Sequence, residues 1–342
     1  MKNIFLRVAL SVLAGLTVSA SSPTPVDVLV VVGASGEQAY RDVFSQTVQD
    51  WLAACRSANK TFRVIEPSAD ETNEIHQVRE ALSHQGTSDQ ELWVILIGHG
   101  TFDGKEAKFN LAGPDVSAKE LADWVAPIQR PLVLINTASA SAPFINALSS
   151  TNRIIVTATK SGHEENYARF GTFIAKAIVN LGGDLDKDGQ VSVLEAFLMA
   201  SRNVEDFYTA EKRLATEHAL IEDNGDGKGT PASFYNGVRP AKKPQEAANL
   251  DGFRAHQLHF LPNEEEARLS PAVRKRRNDL ELELERARTR KQQMKEDEYL
   301  ALIEPVISEL SRLYRDAAKG VTTPEKTNET TAPDAAATVP RR

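Results

Sequence analysis

Five short apolar runs rich in β-branched residues, Val26 to Val32, Thr61 to Ile65, Leu92 to Ile97, Leu132 to Ile135 and Arg153 to Thr157, punctuate the first half of the chain. Between most of them lie stretches with helical periodicity, including Tyr40 to Ala54, Glu74 to Leu82 and Ala118 to Val125. Ser117 followed three residues later by Glu120 is a capping-box signature at the start of one such helix. Strands that alternate with helices predict a parallel sheet covered on both faces, an α/β fold. In open sheets of this kind chemistry gathers at the C-terminal ends of the strands.

Two strands end there in informative turns. Leu92 to Ile97 leads into Gly98-His99-Gly100, and Leu132 to Ile135 leads into Asn136-Thr137-Ala138-Ser139-Ala140-Ser141-Ala142. Order and spacing resemble the caspase-like fold and, within it, the legumain (asparaginyl endopeptidase) group of cysteine peptidases. That group pairs a His-Gly motif with Glu-Ala-Cys-x-Ser-Gly. Alignment on Ser139-Ala140-Ser141-Ala142 puts Ser139 in the nucleophile slot, 40 residues after His99, and Ala142 where the family has glycine.

The segment Val156 to Ala168 is also similar to legumains, and Arg41 falls where the family carries a specificity-pocket arginine. The resemblance spans roughly residues 26 to 180. It implies a caspase-like parallel sheet with helices on both faces, His99 as acid-base residue, the Gly100 backbone as oxyanion donor, and Arg41 as a substrate-binding cation. His163 and Glu164 fall on the same rim. A thiol ionises appreciably near neutral pH, whereas a serine hydroxyl needs a closely bonded and oriented base. The sequence assigns no carboxylate to orient His99. The domain is therefore expected to be a catalytically degenerate pseudoenzyme that keeps its cleft for a peptide or protein. The alternatives are a peptidase that uses Ser139 with His99, and a scaffold assembled through C-terminal helices.

A chain of 342 residues, 41% of them hydrophobic, is long enough for a sizeable core with extensions. The net charge of −7 argues against nucleic acid as a partner. Lys2 and Arg7, an apolar run from Val8 to Val18 and Val18-Ser19-Ala20 form a signal-peptide pattern over residues 1–20. The expected protein is exported, periplasmic or extracellular, with no membrane span after signal cleavage. Cys55 is the single cysteine, so no intrachain disulfide can form, and its helical setting suggests a buried, inert thiol.

Beyond the α/β domain (24–180), Asp184 to Glu195 matches the twelve-residue EF-hand loop. Asp184, Asp186 and Asp188 occupy positions 1, 3 and 5. Gly189 permits the turn, Gln190 offers its carbonyl, Ser192 a water bridge, and Glu195 a bidentate carboxylate. The expected cofactor is Ca²⁺. Glu222, Asn224 and Asp226 resemble the opening half of a second loop, either a weaker metal site or a glycine-rich turn. Residues 181–239 are thus expected to be a calcium-binding segment, and 240–262, polar and irregular, a linker.

Ser270-Pro271 opens a helix, and Tyr299, Leu302, Ile303, Val306, Ile307, Leu310 and Tyr314 recur at helical spacing in another. Residues 263–319 therefore predict a helical hairpin or coiled-coil arm able to self-associate or to pack on its own body. Residues 320–342, rich in Thr, Pro and Ala, are expected to be disordered.

Overall fold

The computed structural model describes residues 25–68, 73–86 and 88–318. The expected signal peptide and C-terminal tail lie outside the described residues. The chain runs β1 (Val28–Val32), α1 (Gln38–Ser57), β2 (Phe62–Ile65), α2 (Asn73–Ser83), β3 (Leu92–Ile97), β4 (Gly100–Phe102), β5 (Ala107–Phe109), β6 (Val116–Ser117), α3 (Ala118–Val125), β7 (Leu132–Asn136), α4 (Pro143–Leu148) and β8 (Arg153–Thr157). It continues through α5 (Phe170–Ala177), α6 (Val193–Ala210), β9 (Leu220–Glu222), β10 (Thr230–Pro231), β11 (Tyr235–Asn236), β12 (Arg239–Pro240), α7 (Phe253–Gln257), α8 (Glu264–Arg268), α9 (Pro271–Arg290) and α10 (Glu296–Ala318).

The main sheet has the order β10-β9-β8-β7-β3-β1-β2. Its five central and leading strands are parallel, and β9 and β10 complete it antiparallel. This is the α/β architecture that the alternating pattern predicts. Successive side chains of a strand point to opposite faces, and in β1 the residues Val28, Val30 and Val32 pack with α1, α5 and α6 while Leu29 and Val31 pack with α2, α3 and α4. Every residue of β1, β3 and β7 is buried, as a sheet covered on both sides requires. The capping box at Ser117 and Glu120 is formed in full. A small antiparallel sheet, β4-β5-β6, follows β3.

At the N-terminal rim of the sheet the Arg130 guanidinium donates to the carbonyls of Val26, Gln90 and Glu91, drawing together the starts of β1 and β3 and the approach to β7. Asp27 stands 3.7 Å away as its counter-charge. Cys55 is fully buried in α1, and burial pushes its thiol up to about 11, which suits an unreactive packing role.

Two boundaries differ from the sequence expectation. The calcium-type segment is no separate unit, because α6 packs on α5 and β9 pairs with β8. Residues 240–262 are not a linker. Phe260 is wholly buried, with its ring 5.6 Å from Trp51 and 4.8 Å from Trp93, and Ala255 and Asp251 are equally buried. The stretch looked irregular because its apolar residues are scattered to fit a groove and follow neither the strand nor the helix period. The two long helices pair through Leu280, Val306 and Leu310 and are tied to the body by Gln257, which bonds Asn278 and Glu281. Among the described residues no helix is long and apolar enough to cross a membrane.

Phe260→Ala should cost about 3–5 kcal/mol in a denaturant titration, because it empties a ring-sized space beneath the sheet. A linker phenylalanine would change the midpoint little.

Candidate functional site

The ends of β3 and β7 place His99, Gly100 and Ser139 on one rim, as the parallel register between these strands dictates. Gly100 opens β4 and comes so close to the second turn that a Cβ there would lie 2.3 Å from the Ser139 carbonyl oxygen. Ser139 is 2% exposed. Its hydroxyl donates to the Gly100 carbonyl at 3.1 Å and accepts the Gly100 N–H at 3.1 Å, so both roles are filled by one residue's backbone. Ala140 beside it has φ 52°, a left-handed conformation that costs a non-glycine residue, and its N–H donates to the Glu164 carbonyl. Ser141 and Thr159 bond to each other and hold the Ala158 and Ala142 N–H groups.

His99 turns elsewhere. Its ring lies 4.8 Å from Tyr40, edge to face, 5.3 Å from Phe44 and 5.9 Å from Tyr167. Desolvation in this aromatic nest lowers its pKa, opposed in part by a hydrogen bond to the backbone of Ser35. Among the described residues no hydrogen bond joins His99 to Ser139, and no carboxylate pairs with its ring. Arg41 is exposed on α1, next in sequence to the Tyr40 that stacks on His99. Glu164 accepts from the Lys160 N–H and pairs with His218 at 2.6 Å, while His163 stacks on Phe102. The aromatic partners of His99 escaped the sequence reasoning, although Tyr40 and Tyr167 flank motifs already noted.

The Asp184–Glu195 loop brings its predicted donors together. Ligand atoms of Asp184, Asp186 and Asp188 lie within 4.8 Å of one another, and so do those of Asp186, Glu195 and His256. Gly189 has φ 85°, the turn for which glycine is needed. Glu195 caps α6 through the Ser192 N–H at 2.9 Å and reaches back to the Leu185 N–H at 2.7 Å, closing the loop from its far end. Gln190 accepts the Asn263 N–H through its side-chain oxygen, which ties the loop to the start of α8. Convergent carboxylates on a loop with the required glycine fit a hard divalent cation such as Ca²⁺.

His256, 3.0 Å from Asp186, and His259, 3.9 Å from Asp188, cover this loop from a segment more than sixty residues later, which no local motif could disclose.

At the second acidic loop backbone N–H groups engage one oxygen of Glu222 and those of Asn224 and Asp226, while Glu222 Oε2 is buried and accepts no backbone N–H. Glu222 and Asn224 accept the Asp226 N–H, and Asp226 accepts from Lys228 and Ala248. The same backbone-to-carboxylate pattern holds the Asp184–Glu195 loop, where Asp184, Asp186 and Asp188 accept the N–H groups of Lys187, Asp188, Gly189 and Gln190. Behind the second loop Asp223 and Asp251 are buried, and burial with the neighbouring Asp223 charge pushes Asp251 up to about 8.

No protein-family model matches this chain, and no curated protein matches it. Among solved structures it is similar to the Drosophila initiator caspase Dronc, at 12% identity and TM-score 0.39, over 66% of this chain and 91% of that one. It is also similar to protein GSU0716 from Geobacter sulfurreducens, at 11% identity and TM-score 0.37, over 65% of this chain and all of that one. At such values neither likeness bears on function.

Because His99 titrates below its ordinary value of 6.5 when folded, the unfolded chain binds the proton first. Its contribution to stability is complete above pH 6.5 and is lost as pH falls from there through the folded pKa. His99→Gln should flatten that part of the stability-versus-pH curve. An unchanged difference between wild type and variant from pH 7.5 to 5 would place the ring in water.

Proposed function

We propose that this chain is an exported calcium-binding protein whose caspase-like, legumain-related domain has lost catalysis and holds a peptide or protein segment across the rim. The observation that carries this is the Ser139 hydroxyl, buried and bonded on both sides to the Gly100 backbone while His99 faces an aromatic nest. Acyl transfer needs a nucleophile within reach of both its base and the substrate carbonyl. Neither condition is met in this arrangement. What remains on the rim is a binding surface, with Arg41 exposed at its edge and suited to an acidic or amide side chain.

The EF-type loop would serve as a structural clamp. Asp184, Asp186, Asp188, Ser192, Glu195 and the Gln190 carbonyl would hold Ca²⁺, with Glu195 fixing the start of α6 to the loop. A second use, self-association through the last helix, is favoured by Leu300, Ile307 and Tyr314, which are about half exposed on α10. The Ser139–His99 hydrolase is the alternative that the geometry favours least.

Ser139→Cys tests the central point, since Cys55 is buried and native-state alkylation would report position 139 alone. Neither alkylation nor cleavage of a mixed peptide library is expected, and Arg41→Ala should weaken peptide capture at unchanged melting temperature. Fast alkylation together with peptide turnover would overturn the proposal.

Calcium at a hundred times its Kd should stabilise the folded protein by about 2.7 kcal/mol. Asp184→Ala should abolish that gain. An equal calcium response in the variant would remove the ion from this loop.

A further inference from the structure

An open pocket of about 420 Å³, with Lys243, Arg286 and Arg290 exposed at its mouth, lies between α9, the Glu222–Gly227 turn and the segment that leads into α7. It is far from the rim of His99 and Ser139. Thr151, at its edge, precedes β8, and Asp223 follows β9, which runs antiparallel to β8 and, past the pair Glu222–Ile155 at mid-strand, heads toward the start of β8. The cavity therefore opens at the N-terminal end of the sheet, opposite the peptidase-like turns.

Its lining is basic in a chain of net charge −7. Lys243, Arg254, Arg286 and Arg290 face it, against a single carboxylate, Asp223. That carboxylate is already occupied, since it accepts the N–H groups of Gly252 and Ala255 at 2.9 and 2.8 Å.

The pairing pattern along α9 sharpens the point. Arg274 and Arg277 pair with Glu266, Lys275 with Asp279, Arg276 with Glu309, and Arg288 with Glu285. The two remaining cations of the helix, Arg286 and Arg290, are the ones that line the cavity, and neither forms an ion pair among the described residues. They stand one helical turn apart, so their side chains rise from the same face. Asn224 and Thr289 add neutral hydrogen-bonding groups, while Phe253 and Leu282 supply an apolar wall.

We propose that this cavity binds a small phosphorylated molecule, its phosphates held by Arg254, Arg286 and Arg290 and its body resting on Phe253 and Leu282. Guanidinium forks match phosphate oxygens two at a time, and like charges gathered around one space favour an anion that neutralises them. The volume exceeds that of a bare phosphate and lies within the range of pockets for small organic ligands. The site spans the body and the helical arm, so an occupant would also fasten α9 to the sheet domain.

The test is isothermal titration of the full-length mature protein, in calcium-free buffer, with pyrophosphate, ADP and citrate. Saturable binding of pyrophosphate and tighter binding of ADP are expected, neither reproduced by sodium chloride of equal ionic strength. In Arg286→Gln/Arg290→Gln the affinity should fall at least roughly tenfold per lost guanidinium. Neither side chain forms an ion pair among the described residues, so the variant's melting temperature should match wild type, which separates lost binding from lost structure. No saturable binding of pyrophosphate or ADP, equal affinity in the double variant, or citrate bound more tightly than either phosphate compound would overturn the proposal.

Discussion

The burial of both faces of the parallel sheet governs everything else in this molecule. With β1, β3 and β7 sealed from water along their whole length, the strand backbones must pair with each other and polar side chains are driven to the strand ends. The two rims that result carry different chemistry. The C-terminal rim presents His99, Gly100 and Ser139. The N-terminal rim is pinned by Arg130 and, farther along, borders the basic cavity beneath α9.

On the first rim, proximity decides the hydrogen bonding of Ser139. Gly100 can pack against the Ser139 carbonyl because it has no Cβ, and the resulting contact lets its backbone take both hydrogen bonds of the serine hydroxyl. The histidine directly before it makes no hydrogen bond to that serine among the described residues, and its ring stays among aromatic neighbours where charge is costly. The acidic loop stands in contrast. There Glu195 ends a loop and begins a helix with one side chain, so the geometry that gathers the donors also fixes α6 against the core.

Much of this was legible in the chain itself. The β-branched runs identified the central strands, since few other segments bury both faces, and Ser117 with Glu120 marked the helix start that the structure contains. The convergence of the aspartates at 184, 186 and 188 around Gly189 was readable because it involves one short loop. Residues 240–262 were not readable, because Phe260 is buried by Trp51 and Trp93, neither of them a sequence neighbour. The same holds for His256 at Asp186 and for the aromatic nest of His99.

The sequence alone determined the alternation of strands and helices, Cys55 as the single cysteine, and a loop with the spacing of a cation site, since each depends on composition or on residues within a few positions of one another. Tertiary structure decided that the Ser139 hydroxyl is spent on Gly100, that the supposed linker is core, and that two arginines of α9 line a pocket with no ion-pair partner among the described residues. Those outcomes turn on which distant surfaces meet, and side-chain hydrogen bonding and charge pairing are settled only when they do.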